Sequence, residues 1–148
     1  MEHVIPNLKS KQGVVIDTNV LIYLFEDDPL FGDAAEKVIM QAEQGVFHGV
    51  ITPITVAELL VKPLRNNRED LANRCRSALR RLQNIDLVGL SFKAGEIAGA
   101  LRAQYGFPLP DMMQVAVALE SKTPAIITND KALKKIKEID VILLSDIT

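Results

Sequence analysis

Four carboxylates stand where a plain folded core would place something else. Asp17 directly follows the β-branched run Val14-Val15-Ile16, and Asp130 follows Ala125-Ile126-Ile127 after only Thr128 and Asn129. Each run reads as a buried strand. Both acids therefore fall at strand C-terminal ends, the edge of an open parallel sheet where ligand crevices form. Capping of the next segment is the plainer role open to each. Glu58 lies in Ile54-Thr55-Val56-Ala57-Glu58-Leu59-Leu60-Val61, a helical segment apolar almost all round, and shares one face with Ile54, Ala57 and Val61. A carboxylate on that face is expected to be desolvated or beside a cleft and to have a cation, because desolvation without a partner costs several kcal/mol. The alternative is that it reaches solvent or pairs with an arginine such as Arg65. Asp111 follows Pro110 in the first turn of a helix, where free amides and the helix dipole favour an anion. Four carboxylates converging without cations would repel one another and raise their pKa values. Oxygen-only sets of this kind suit Mg²⁺ or Mn²⁺.

The elements that must position these acids follow from periodicity and punctuation. After the strand Val14-Val15-Ile16, Asp17-Thr18-Asn19 breaks the run and the apolar stretch Val20 to Phe25 follows. Asp33 is expected to cap a helix running to Gln44, with Gly45 as its stop. Val46 to Ile51 reads as a second strand, and Thr52-Pro53 starts a helix predicted to end near Lys62-Pro63. A further helix spans about Glu69 to Gln83, with Leu71, Cys75, Ala78, Leu79 and Leu82 on its apolar stripe. Leu87 to Leu90 is the predicted third strand, and Ser91 caps a helix that runs to Tyr105 and stops at Gly106. Pro110 begins the next helix, Ala125 to Thr128 is a fourth strand, Lys131 to Ile139 a short basic helix, and Val141 to Leu144 a last strand. Strands alternating with helices imply right-handed crossovers and a mostly parallel sheet of about five strands covered on both faces, an α/β fold.

The chain has 148 residues, 48% hydrophobic and 24% charged, the balance of one ordinary globular domain. Residues 13–148 are read as that domain, behind a loosely held leader over residues 1–12. The single cysteine, Cys75, and two histidines, His3 and His48, exclude a disulfide within the chain and a structural zinc site. For both histidines a structural or surface role is expected, and for Cys75 a small core position. No apolar run approaches the roughly 18 residues of a membrane span, and a cytoplasmic location is expected. Net charge is -2, from 17 basic against 19 acidic residues, so the global balance does not announce a nucleic-acid binder. Distribution says more. Arg65, Arg68, Arg76 and Arg80 fall in one basic stretch, and Lys131 and Lys134 follow Asp130. Both clusters are candidates for phosphate contact, with solvated helix faces as the alternative.

Taken together, Val15-Ile16-Asp17-Thr18-Asn19-Val20-Leu21-Ile22, Thr55-Val56-Ala57-Glu58-Leu59, Leu109-Pro110-Asp111-Met112-Met113-Gln114-Val115-Ala116 and Ile126-Ile127-Thr128-Asn129-Asp130 resemble the PIN-domain nuclease family. Their order and the chain's size are similar to VapC-type toxins of toxin–antitoxin pairs. The resemblance implies a Mg²⁺- or Mn²⁺-dependent endoribonuclease leaving 5′-phosphate and 3′-hydroxyl ends, with Asp17, Glu58 and Asp111 as the principal metal-site acids and Asp130 as the more variable fourth. It further implies supporting roles for Asn19 and Thr128, an antitoxin partner and a homodimer. Met112-Met113-Gln114 departs from the small or aliphatic residues more usual there. A PIN-like scaffold that binds RNA or protein without cleaving, and a housekeeping RNA-processing nuclease, are the competing functions. A receiver-type signalling domain fits poorly, because Asp17 is followed by Thr18-Asn19 and the third strand leads into Ser91-Phe92. A magnesium phosphatase lacks its Asp-x-Asp motif.

Overall fold

A computed structural model describes residue 5 and residues 7–147. Five parallel strands, β1 (Val14–Ile16), β2 (Gly49–Ile51), β3 (Ile85–Leu87), β4 (Ala125–Thr128) and β5 (Asp140–Leu143), form one sheet in the order β3-β2-β1-β4-β5. The helices are α1 (Thr18–Phe25), α2 (Gly32–Glu43), α3 (Pro53–Arg65), α4 (Glu69–Arg80), α5 (Phe92–Tyr105) and α6 (Leu109–Leu119). The predicted α/β class and five-strand parallel sheet are those observed.

Alternation along the strands divides the core in two. Val14, Ile16, Ile51, Ile85, Ile127 and Ile142 pack with α1, α2 and Leu59 of α3. Val15, Val50, Ile126, Val141 and Leu143 face α5, α6 and the short 3-10 helix Lys131–Lys135. Because β2 and β3 are laid to one side of β1 while β4 and β5 lie to the other, connections leave in opposite directions between β1 and β4. Such a reversal is where an open α/β sheet forms its ligand crevice, here beyond the C-terminal ends of β1 and β4 at Ile16 and Thr128.

Several boundaries differ from expectation for physical reasons. The Val20–Phe25 stretch is a helix that begins inside the supposed break, since Asp17 caps it by accepting from the Thr18 N–H at 2.8 Å. Phe31, not Asp33, is the cap residue of α2, and Asp33 lies in the first turn. Helix α3 continues through Pro63 to Arg65: the proline forgoes one helical N–H bond two residues before the helix end, and it is buried. Strand β2 starts only at Gly49: the Val46 N–H is taken by the Gln41 carbonyl and the Val46 carbonyl by Ser10. The third strand begins two residues early, at Ile85. Asn84 has φ +57° and ties its side-chain amide to the Ala42 and Phe47 carbonyls, which sets the register, while Leu87 to Leu90 stay exposed. Helix α4 stops at Arg80, and the basic helix after Asp130 is one 3-10 segment.

The residues expected to be a loose leader are held where described. Ile5 and Leu8 are buried in the core with α2, the Ile5 N–H donates to Gln41 Oε1, and Ser10 and Lys11 bond to Val46 and His48 backbone. His3 lies outside the described residues.

Candidate functional site

Asp17 and Asp130 emerge from adjacent strands at the crevice. The Asp17 Oδ1 accepts from the Thr18 N–H at 2.8 Å and its Oδ2 from the Thr128 hydroxyl at 2.8 Å. Thr128, fully buried, also accepts from the Asp130 N–H at 3.1 Å and the Asn19 side-chain amide at 3.3 Å. One hydroxyl thus latches the end of β4 to the end of β1. Asn19 completes the latch by accepting from the Asn129 N–H at 3.3 Å. Asp130 is exposed and caps the 3-10 helix through the Ala132 N–H, so the capping role applies to both strand-end acids alongside their shared placement.

The two helix-borne acids reach the same end from either side of the sheet. Glu58 is exposed, as are Ala57 and Val61, so the face expected to be desolvated is the outward one; Thr55, Leu59 and Pro63 are the buried residues of α3. Among the described residues Glu58 pairs with no arginine. Its carboxylate instead accepts from the Thr18 hydroxyl at 2.8 Å. Asp111, half-buried in the first turn of α6, has its carboxyl pushed up to about 6, chiefly by burial and then by Asp17, Asp130 and Glu58. Burial also raises Asp17, against hydrogen bonds from Thr128 and Thr18 that lower it, with Glu58 and Asp130 adding to the rise. Asp111 therefore lies within electrostatic reach of the other three acids, and Asp17 within reach of Glu58 and Asp130.

No lysine or arginine among the described residues forms an ion pair with any of the four. A divalent cation suits this set by charge and by donor chemistry, carboxylate oxygens being hard ligands. Among the described residues no three His, Cys, Asp or Glu side chains stand close enough to enclose one ion, so the fit rests on electrostatics and donor type.

A buried polar chain beneath Glu58 is absent from the sequence reading. Thr18 contacts the Thr55 hydroxyl at 3.1 Å, Gln114 Nε2 donates to Thr55 at 3.0 Å, and the Thr52 hydroxyl donates to Gln114 Oε1 at 2.6 Å. The available signal was a polar residue at core-facing positions of two apolar helices, Thr55 in α3 and Gln114 in α6.

The basic clusters divide. Arg68 and Arg76 are occupied within their own hairpin, Arg68 bridging Asp70 at 2.9 Å and Arg76 bridging Glu69 at 2.8 Å. The Arg68 hydrogen bond holds the Asp70 carboxyl down at about 2. Arg65 and Arg80 are exposed, Lys131 follows Asp130 directly, and Lys134 lies toward the β5 side beside Asp140 and Asp146. Beside Glu58, α1, α3 and α4 enclose a largely apolar groove of about 440 Å³, lined by Ile22, Phe25, Leu59, Leu71, Cys75 and Ala78 among others. Cys75 is a half-buried groove residue whose thiol burial pushes up, the opposite of an activated thiolate. His48 accepts from the Gly13 N–H and contacts Asp86 at 2.7 Å, a structural tie at the sheet's other end.

With that geometry in place, residues 14–139 match the PIN domain family. The chain belongs to the PIN-domain family. This PIN-domain protein is similar in structure to a toxin–antitoxin complex from Klebsiella pneumoniae, with 26% identity, TM-score 0.68, and 89% of this chain and 98% of that chain covered. It shares its fold with VapBC2 from Rickettsia felis bound to a promoter DNA fragment (15% identity, TM-score 0.72, 90% and 98% covered). The same holds for VapBC-1 from nontypeable Haemophilus influenzae (21%, 0.64, 91% and 98%). No curated protein matches the chain at a significant level. No described helix is long and apolar enough to cross a membrane.

Proposed function

We propose that this PIN-domain protein is a cytoplasmic, divalent-metal-dependent endoribonuclease and the toxin of a toxin–antitoxin pair. The observation that carries the reading is the set of four acids gathered around Asp111 at the reversal point of a parallel sheet, with no ion pair to any of them among the described residues. Asp17, Glu58, Asp111 and Asp130 would hold Mg²⁺ or Mn²⁺, which when bound supplies activation of water and neutralisation of charge on the scissile phosphate. The chain's own work is positional. Thr128 presents Asp17 to the crevice, Thr18 presents Glu58, and Asn19 holds the loop that carries Asp130. Lys131, Arg65 and Arg80 offer exposed charge for the phosphate backbone, which makes RNA binding salt-sensitive.

The test is cleavage of a mixed panel of labelled RNAs by purified protein in Mg²⁺ or Mn²⁺. Activity lost both in EDTA and in Asp17→Asn, with 5′-phosphate and 3′-hydroxyl ends, is the expected result. Absence of both cleavage and metal binding would leave the non-catalytic scaffold.

The partner reading rests on the groove. Its apolar lining runs up to Glu58, so an antitoxin segment seated there would lie across the approach to the acids. The Klebsiella relative was solved as a toxin–antitoxin complex, which supports this assignment. Leu71→Asp in the groove should abolish inhibition by the antitoxin while cleavage persists; unchanged inhibition would place the partner elsewhere. A homodimer is the expected assembly, and the mass in solution tests it.

A further inference from the structure

Glu58 is an exposed side chain on a helix that buries only Thr55, Leu59 and Pro63, yet its carboxylate is held by a chain of hydrogen bonds that begins in the core. The order of that chain is dictated by proton count. The Thr18 hydroxyl has one proton, and Glu58 takes it. The Thr18 contact with Thr55 at 3.1 Å then requires Thr55 to donate, which leaves Thr55 needing a donor of its own. Gln114 Nε2 supplies it at 3.0 Å, and this amide orientation is the one in which Oε1 faces the Thr52 hydroxyl at 2.6 Å. The reversed amide would present an acceptor to Thr55 and draw its proton away from Thr18. Thr52 is anchored in turn, because its oxygen caps α3 by accepting from the Ile54 N–H.

We infer that Gln114 is a positioning residue for Glu58, acting through the directed chain Thr52, Gln114, Thr55, Thr18. The inference rests on the metal-nuclease reading above and adds to it a residue from the face of the sheet opposite α3. Thr18, Thr52, Thr55 and Gln114 are all buried, so each hydroxyl and amide is shielded from water that would otherwise exchange for these bonds. In such surroundings aligned hydrogen bonds polarise one another. Thr18 is the terminus of both arrangements at the crevice: its N–H holds Asp17 and its hydroxyl holds Glu58. Breaking the chain at Gln114 frees the Thr18 proton to turn back toward Thr55, and Glu58 becomes an ordinary mobile surface glutamate.

The experiment is calorimetric titration of the full chain with Mn²⁺ alone, using wild type, Gln114→Met, Thr55→Val, the double variant and Thr55→Ser, with melting curves in EDTA for each. Gln114→Met and Thr55→Val should each weaken Mn²⁺ binding by about tenfold, the scale seen when a partner of a metal-holding group is removed. The double variant should be no weaker than either single change, since one chain is cut once or twice, and Thr55→Ser should bind like wild type. Lower melting temperatures with unchanged Mn²⁺ affinity would overturn the inference and leave a structural role. Losses that multiply in the double variant would overturn it as well. If Gln114→Met fails to fold, the Thr55→Val and Thr55→Ser pair decides alone. Wild-type protein that binds no Mn²⁺ would remove the metal reading and this inference together, whereas wild-type binding with unaffected variants removes only the inference.

Discussion

The helix pairs α5–α6 and α3–α4 each deliver one acid to the crevice, and they are anchored very differently. Helix α6 buries Met112, Gln114, Val115, Ala116, Val117 and Ala118, and α5 adds Ala94, Ala98 and Leu101. Helix α3 buries only Thr55, Leu59 and Pro63, and α4 only Ala72. Asp111 therefore rides on a rigid part of the core, and its place is fixed by packing. Glu58 rides on an outlying hairpin, and its place is fixed by the Thr18 hydroxyl. The hairpin's loose packing also leaves the apolar groove open. A packed helix pair holds its acid by packing alone, and a sparsely packed pair leaves an apolar groove open and an acid held by a polar contact.

The contrast can be broken at its strongest point first. Met112→Ala should cost about 2–5 kcal/mol of stability by leaving a core cavity, while Leu71→Ala in α4 should cost under about 1.5 kcal/mol because its side chain is only partly buried. Equal shifts in denaturation midpoint would remove the distinction.

Next in size is the response to pH. The folded Asp111 carboxyl, raised to about 6, binds a proton more tightly than in the unfolded chain, where its ordinary value is 3.8. Protein without metal should therefore gain stability from this group below about 4 and lose that gain as pH rises through about 6. A divalent cation should reverse the loss, so the Mn²⁺-induced rise in melting temperature should be larger at pH 7.5 than at pH 5. A rise independent of pH would detach Asp111 from the metal reading. The smallest effect is expected at Arg76→Ala: its pairing with Glu69 is half in solvent, and stability should change by at most about 1 kcal/mol. A larger loss would show that the hairpin depends on its charges after all.

How much was legible in the sequence follows the same division. β1 and β4 read directly from Val14-Val15-Ile16 and Ala125-Ile126-Ile127, since β-branched runs beside loop-forming residues have few other solutions. The strand-end acids followed from those runs. The third strand was misplaced because Leu87 to Leu90 look like a core run but lie exposed at the edge of the sheet, where Asn84 sets the register instead. The face carrying Glu58 is outward, not desolvated as expected: its helix is apolar on both sides, and periodicity alone does not say which side faces the core. The polar chain from Thr52 to Thr18 joins residues up to 62 positions apart, so no local pattern encodes it. Ile5 and Leu8 lay in a short polar segment whose anchoring depends on α2 and Val46.

The latch from Thr128 to Asp17 spans 111 positions of chain. Closing so long a loop is entropically late in folding, and parallel pairing of β1 with β4 cannot be nucleated by a local hairpin. The crevice is thus expected to form late as the polypeptide acquires its structure. A newly made or partly refolded molecule should then pass through its collapsed stages with the acids still apart, and the proposed activity should appear only at the close of folding.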